Sequence, residues 1–314
     1  MWNYVIPHFE QFLTDLQLEN EDRKDADGKA ERVAKSLFAK YHPGQIFTPD
    51  CYVKVGSVGK ETATKPRTDL DMLFVLPWDN YTRIEGLTGN KQSQLLQEVK
   101  RALTVTFPRT DLRADGQVVI APFDTYNVDV VPSFRFVTGP LTGSYYTAHT
   151  ADGGSWRLSN PVAEYRWLKT VDAASGGKAT HLIQTLKAWK HECNVDLKSI
   201  CLEIAAGVFV QNWENRDKGM TFYDWMVRDF FAFMLNYVNG RAKPAGIDEW
   251  IPLGDSWKTK CQTAYGRAVK ACEHEHADQD TLASMEWQKI FGSRFPIDYH
   301  LTHLFAALGT GTRT

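Results

Sequence analysis

Along the first 41 residues, apolar side chains recur at helical spacing within a charge-rich background: Phe9, Phe12, Leu13 and Leu16, then Val33, Leu37 and Phe38. Intervals of three and four put them on one face, which predicts amphipathic helices ahead of any strand. The period then shortens. Runs of β-type residues follow at 51–55 (CYVKV), 70–76 (LDMLFVL), 117–121 (QVVIA) and 126–131 (YNVDVV), and these predict strands. Between the second and third, Leu95, Val99, Ala102 and Leu103 keep a helical stripe. Beyond Asn160-Pro161 every strong periodicity is helical, at roughly 161–173, 179–193, 198–212, 221–238, 257–276, 279–291 and 298–308. The stretch 200–210 is apolar nearly all round apart from Glu203, the mark of a helix buried between neighbours. GGSW and SNP punctuate the chain at 153–161 and predict a boundary there. The expected organisation is an α+β unit over 1–158 and an all-helical unit over 159–314.

A length of 314 residues accommodates two such units. The formal charge is −2, from 36 Lys and Arg against 38 Asp and Glu, which argues against obligate binding to long DNA or RNA. The amino-terminal MWNYVIPHFEQF has no signal-peptide pattern, and no stretch approaches about 18 apolar residues. A cytoplasmic protein without a membrane partner is therefore expected. Cysteines at 51, 193, 201, 261 and 272 are odd in number and irregular in spacing, so reduced thiols are expected. Cys272, His274 and His276 invite a zinc reading, but the turn of about 100° per residue on a helix points His274 away from the other two.

The chemistry concentrates in two blocks. Val55-Gly56-Ser57-Val58-Gly59 ends the first β-type run, and after a polar loop comes Thr68-Asp69-Leu70-Asp71 heading an apolar strand. Carboxylates two apart on a strand share a face, and as an unpaired pair they are costly to bury. A divalent cation resolves that cost, and Mg²⁺ uses few carboxylates, completing its shell with water and phosphates. Asp129 stands mid-strand between Val128 and Val130. If the two strands are neighbours, three carboxylates converge, which suits two metal ions that orient a triphosphate and lower the pKa of an attacking hydroxyl. Gly56-Ser57 lets the backbone approach phosphate closely.

In these residues the chain resembles the DNA polymerase β-like nucleotidyltransferases, a superfamily that includes poly(A) polymerases, oligoadenylate synthases and cyclic GMP-AMP synthase. It looks most like the bacterial cGAS/DncV-like nucleotidyltransferases of CBASS anti-phage systems. The resemblance is carried by GSVGKETATKPRTDLDMLFVLP (56–77), YNVDVVPSF (126–134), GGSWRLSNP (153–161), HLIQTLKAWK (181–190) and LKSICLEIAAG (197–207). It implies a polymerase β-like mixed sheet with flanking helices, and a carboxy-terminal, oligoadenylate synthase-like helical domain that completes the nucleotide pocket. It implies that Asp69, Asp71 and Asp129 are catalytic and hold two Mg²⁺ or Mn²⁺ ions, and that Gly56, Ser57, Lys187 and Ser199 bind the triphosphate. The residue after that serine is often aromatic in relatives but is Ile200 here, so base stacking falls to Tyr145 or Tyr146.

The implied activity is synthesis of a cyclic di- or trinucleotide from nucleoside triphosphates, ATP or GTP among them, with release of pyrophosphate. The implied partners are a downstream effector reached through the product and regulatory proteins of a defence operon. Two other readings stand beside it. A template-independent RNA or tRNA-end nucleotidyltransferase shares the carboxylates but needs a basic RNA track. An inactive nucleotide-binding scaffold would not need all three carboxylates.

Overall fold

The computed structural model describes residues 4–66 and 69–297. Contacts between Cα atoms divide the chain into two compact units, one of residues 18–170 with 244–249, the other of 1–17, 171–243 and 250–314. This differs from the expected division in two respects. The first helix, α1 (Val5–Leu16), belongs to the helical unit, and the sheet unit extends to 170, beyond the Asn160-Pro161 punctuation. That punctuation starts a helix rather than separating units: Asn160 Oδ1 accepts the amide of Ala163 at 3.0 Å and Pro161 opens the first turn, where its missing N–H costs nothing.

In the sheet unit, α2 (Asn20–Tyr41) precedes β1 (Tyr52–Lys54), the single-turn helix α3 (Gly56–Gly59), β2 (Leu70–Val75), α4 (Trp78–Glu85) and α5 (Lys91–Thr106). Then follow β3 (Arg113–Asp115), β4 (Val118–Pro122), β5 (Asn127–Arg135), β6 (Tyr145–His149), β7 (Ser155–Ser159) and α6 (Pro161–Ala174), which runs on past the unit's edge. Among the described residues these strands form one seven-stranded sheet in the order β1-β2-β5-β4-β3, with β6 pairing both β5 and β7. Only β2 and β5 run parallel. Helices α2 and α5 cover one face with Val33, Leu37, Leu95, Val99 and Leu103, all fully buried against strand residues such as Phe74, Val128 and Val130. Burial of that stripe is what selects the register, since a one-residue slip would turn every strand side chain to the other face. Asn90 caps α5 by accepting the amide of Ser93 at 2.9 Å.

The helical unit comprises α1, α7 (Lys178–Glu192), α8 (Ser199–Asn212), α9 (Tyr223–Leu235), α10 (Lys258–His276) and α11 (Asp280–Phe291), with a short hairpin of β8 (Arg241–Ala242) and β9 (Ile251–Pro252). The hairpin is an exception to the all-helical expectation. The expected helix at 298–308 lies outside the described residues. Aromatic rings fill the core, with Phe9 against Trp287 and Phe12 against Phe291 at centroid separations of 5.6 and 5.0 Å. Helix α8 is buried as its apolar circumference requires. All five cysteines are free thiols. Cys272 is buried, His274 bonds Gln279, and His276 is exposed. No described helix is long and apolar enough to cross a membrane.

Candidate active site

The two carboxylate-bearing strands are immediate neighbours. Because β2 and β5 pair in parallel with Leu70 opposite Val128, Asp71 stands directly across from Asp129, on strands about 4.8 Å apart. Side chains in register on adjacent strands project to one face, and so does Asp69, two residues before Asp71. Asn127 occupies the matching place on β5 and donates from Nδ2 to Asp69 Oδ1 at 2.9 Å. The sheet thus brings Asp69, Asp71 and Asp129 together.

Their electrostatics show how closely they converge. Burial, and after it the charges of Asp69 and then Asp71, together push the Asp129 carboxyl up to about 6. Its Oδ1 is buried and accepts no hydrogen bond. A buried anionic oxygen without a donor, beside two more anions, is costly to maintain, and a divalent cation satisfies it. Among the described residues no group of three or more His, Cys, Asp or Glu side chains is arranged to hold a metal ion, so a cation at these carboxylates would need water and phosphate oxygens as further ligands.

The Gly-Ser loop is locked against this cluster. Val55 donates its amide to the Asp71 carbonyl at 2.9 Å, and Gly56 then turns the chain with φ of +61°. A Cβ on Gly56 would lie 2.0 Å from Asp71 Oδ2, so only glycine lets that carboxylate lie against the loop backbone. Ser57 follows in the single turn of α3 and is half-buried, its carbonyl accepting the amide of the fully buried Thr62 at 2.9 Å. Beyond the turn, Lys60 pairs with Glu164 of α6 at 3.2 Å and Glu61 pairs with Lys169 of the same helix. An oxygen-rich cluster adjoining a glycine turn and a hydroxyl can bind a metal-bound polyphosphate.

The other nominated residues lie in the helical unit. Ser199 is exposed in the first turn of α8. Lys187 of α7 differs from a surface lysine: it pairs with Glu203 of α8 at 2.7 Å, the two side chains being 9% and 6% exposed. The expectation for base stacking is corrected. Tyr145 is 1% exposed, and Tyr146 packs among Tyr81, Phe136 and Trp156. Both rings are committed to the sheet unit's packing because β6 is a paired strand rather than a loop. Asn127 escaped notice in the sequence, although it stands two residues before Asp129, and Glu203 stood out there only as the polar interruption of an apolar helix, not as the partner of Lys187.

Residues 4–172 match the model of the Second Messenger Oligonucleotide or Dinucleotide Synthetase domain. The chain belongs to this family. It is similar to a cyclic AMP-AMP-AMP synthase of Acinetobacter sp. (strain ATCC 27244 / 9458), at 23% identity over 252 residues, covering 77% of this chain and 71% of the relative. Among solved structures it is similar to CdnC of E. coli MS115-1 in its complex with HORMA-deltaN, with a TM-score of 0.64, 17% identity and coverage of 93% and 97% of the two chains. It is likewise similar to the cyclic AMP-GMP synthase DncV of Vibrio cholerae, with a TM-score of 0.70, 13% identity and coverage of 92% and 96%.

The synthase is a nucleotidyltransferase that makes a cyclic oligonucleotide second messenger from nucleoside triphosphates. Its α+β architecture is the polymerase β-like fold that the family resemblance implied. Membership in this metal-dependent superfamily accords with the donor set around Asp129.

Proposed function

We propose that Asp69, Asp71 and Asp129 are the catalytic carboxylates of this synthase. The observation that carries the reading is the register of β2 and β5, which sets Asp71 against Asp129 beside the Gly56 turn. The three would hold two divalent ions, Mg²⁺ or Mn²⁺, with Asp69 and Asp71 binding both and Asp129 one. Bound there, the ions would neutralise developing phosphate charge and lower the pKa of the acceptor hydroxyl. The Gly56-Ser57 turn holds the β- and γ-phosphates, and Lys187 and Ser199 contribute further donors to the triphosphate. Asp129 helps to activate the acceptor hydroxyl. The acceptor hydroxyl's oxygen forms a bond to the α-phosphorus as its proton passes to Asp129 or to water, the bond from that phosphorus to the bridging oxygen breaks, and pyrophosphate leaves. Most of the acceleration comes from positioning and charge stabilisation. The sheet unit supplies the catalytic groups in this reading.

The substrates are ATP, GTP or both, and the product is a cyclic di- or trinucleotide. The similarity to a synthase of cyclic AMP-AMP-AMP supports adenosine among its bases. The product activates a separate effector in anti-phage defence, inside the cytoplasm. The E. coli relative's complex with HORMA-deltaN supports control by a regulatory protein. Incubation of the purified enzyme with Mg²⁺ or Mn²⁺ and all four triphosphates tests this. A phosphatase-resistant product, lost in the Asp69→Ala/Asp71→Ala double variant, is expected. Exclusively linear oligomers, or extension of labelled RNA ends, would overturn the reading.

A further inference from the structure

We infer that Glu203 is a positioning residue for substrate binding, the fixed counter-ion that aims Lys187 at the triphosphate. The inference rests on the proposed contact between Lys187 and phosphate.

Helix α8 has no reason of its own to carry a carboxylate at 203. Its circumference is apolar, it is packed on most sides, and Glu203 is 4% exposed as a whole residue. Lys187 is nearly as enclosed, on an α7 whose neighbouring positions Leu182, Ile183, Leu186 and Trp189 are fully buried. Burying both charges removes them from water, and that penalty commonly equals or exceeds their attraction. Well-packed apolar side chains at 187 and 203 would hold the two helices together equally well. Stability alone therefore does not account for the pair.

A requirement for a directed ammonium does. Lysine is a point charge on a flexible four-carbon stem, and its rotamer freedom must be given up when it grips a ligand. A carboxylate 2.7 Å away on a rigid neighbouring helix imposes that loss during folding rather than on binding. Glu203 stands one helical turn after Ser199, so residues four apart on one face of α8 would serve the phosphate directly in one case and through Lys187 in the other. The apolar gap in the sequence pattern at Glu203 and the burial of Lys187 receive one explanation.

A double-mutant cycle tests this. Initial rates of pyrophosphate release, with saturating metal, give KM and kcat for triphosphate in Glu203→Gln, Lys187→Met and the combined variant. Glu203→Gln is expected to raise KM by about tenfold or more, the scale of a lost hydrogen bond to a charged group, with kcat changed less than KM. Lys187→Met should raise KM by at least as much, and the combined variant should be no worse than Lys187→Met alone, because Glu203 then has nothing left to aim. Glu203→Asp should recover part of the loss. Thermal melts accompany each variant. Should Glu203→Gln fail to fold, Glu203→Asp and the apolar pair Lys187→Met/Glu203→Leu carry the test, the latter expected to fold while keeping the high KM of Lys187→Met. An unchanged KM in a folded Glu203 variant beside a raised KM in Lys187→Met overturns the role of Glu203. Additive effects overturn it as well, since they mark a merely structural residue. A normal KM in Lys187→Met, with activity still abolished by Asp69→Ala/Asp71→Ala, removes the Lys187 contact on which the inference stands while sparing the carboxylates.

Discussion

The contact between Gly56 and Asp71 allows strain and function to be separated. In Gly56→Ala the new methyl group would sit 2.0 Å from Asp71 Oδ2 and 2.9 Å from its Cγ. Relief requires the carboxylate or the loop to move by roughly 1 Å, a misplacement that can lower catalysis about 100-fold. The variant also forces alanine to a φ of +61°, at roughly 1–2 kcal/mol. Gly44 is the matching control. It lies in the same unit at φ of +76°, with no atom within 4 Å of a Cβ added there. Gly44→Ala therefore carries the backbone strain without the clash. Both variants are expected to melt a few degrees lower, since each kcal/mol is worth about 2–4 °C in a unit of 150–250 residues. Pyrophosphate release, measured at least about 15 °C below both melting points, should be intact in Gly44→Ala and reduced about 100-fold in Gly56→Ala. Equal activities would show that the position of the Asp71 carboxylate does not govern the reaction.

Two further outcomes follow from other contacts. Asn127→Ala releases Asp69 and should raise the Mg²⁺ concentration needed for half-maximal activity by about 10–100-fold, as loss of a ligand's orienting partner does; a metal titration with an unshifted midpoint would show that Asn127 does not orient the ligand. In the helical unit, burial, followed by the charges of Asp224, Asp280 and Asp278, pushes Glu275 from 4.5 up to about 8, and burial pushes Asp224 from 3.8 up to about 6. A carboxyl raised on folding contributes stability that is complete below its unfolded pKa and is lost as pH rises to the folded one, at up to about 1.4 kcal/mol per pH unit for each proton. Above pH about 6 Glu275 carries the carboxyl part of the falling slope, so Glu275→Gln should flatten urea-unfolding free energies between about pH 6 and 8. Parallel slopes in the two proteins would contradict the assignment.

Elements with strong internal periodicity were legible from residues alone. Helices α6 to α11 lie within one or two residues of their expected spans from 161 to 291, except the trimmed ends of α9, because their apolar stripes are long enough to define a period. The Asp-x-Asp strand and the Asp129 strand were legible for a different reason: a carboxylate within an apolar run breaks local logic unless a ligand restores it. Strands β3, β6 and β7 were not. Each is three to five residues long, and its pairing comes from a partner rather than from its own sequence. The same long-range dependence hid the allegiance of α1, the burial of Lys187 and the commitment of Tyr145 and Tyr146. Nothing in HLIQTLKAWK indicates that a carboxylate 16 positions after its first lysine, Lys187, will pair with it.

The discontinuous make-up of the helical unit has a consequence for how the chain is made. Phe9 and Phe12 leave the ribosome early, yet their ring partners Trp287, Phe291 and Phe295 are translated about 280 residues later, an interval of roughly 14 to 56 s at 5–20 residues per second. The intervening 18–170 segment, contiguous apart from one short loop, can assemble its sheet during that wait. An apolar amino-terminal helix is meanwhile exposed to chaperones, proteases and other nascent chains. Slow translation, or an amino-terminal fusion that restrains α1, should therefore bear on the yield of the helical unit more heavily than on that of the sheet.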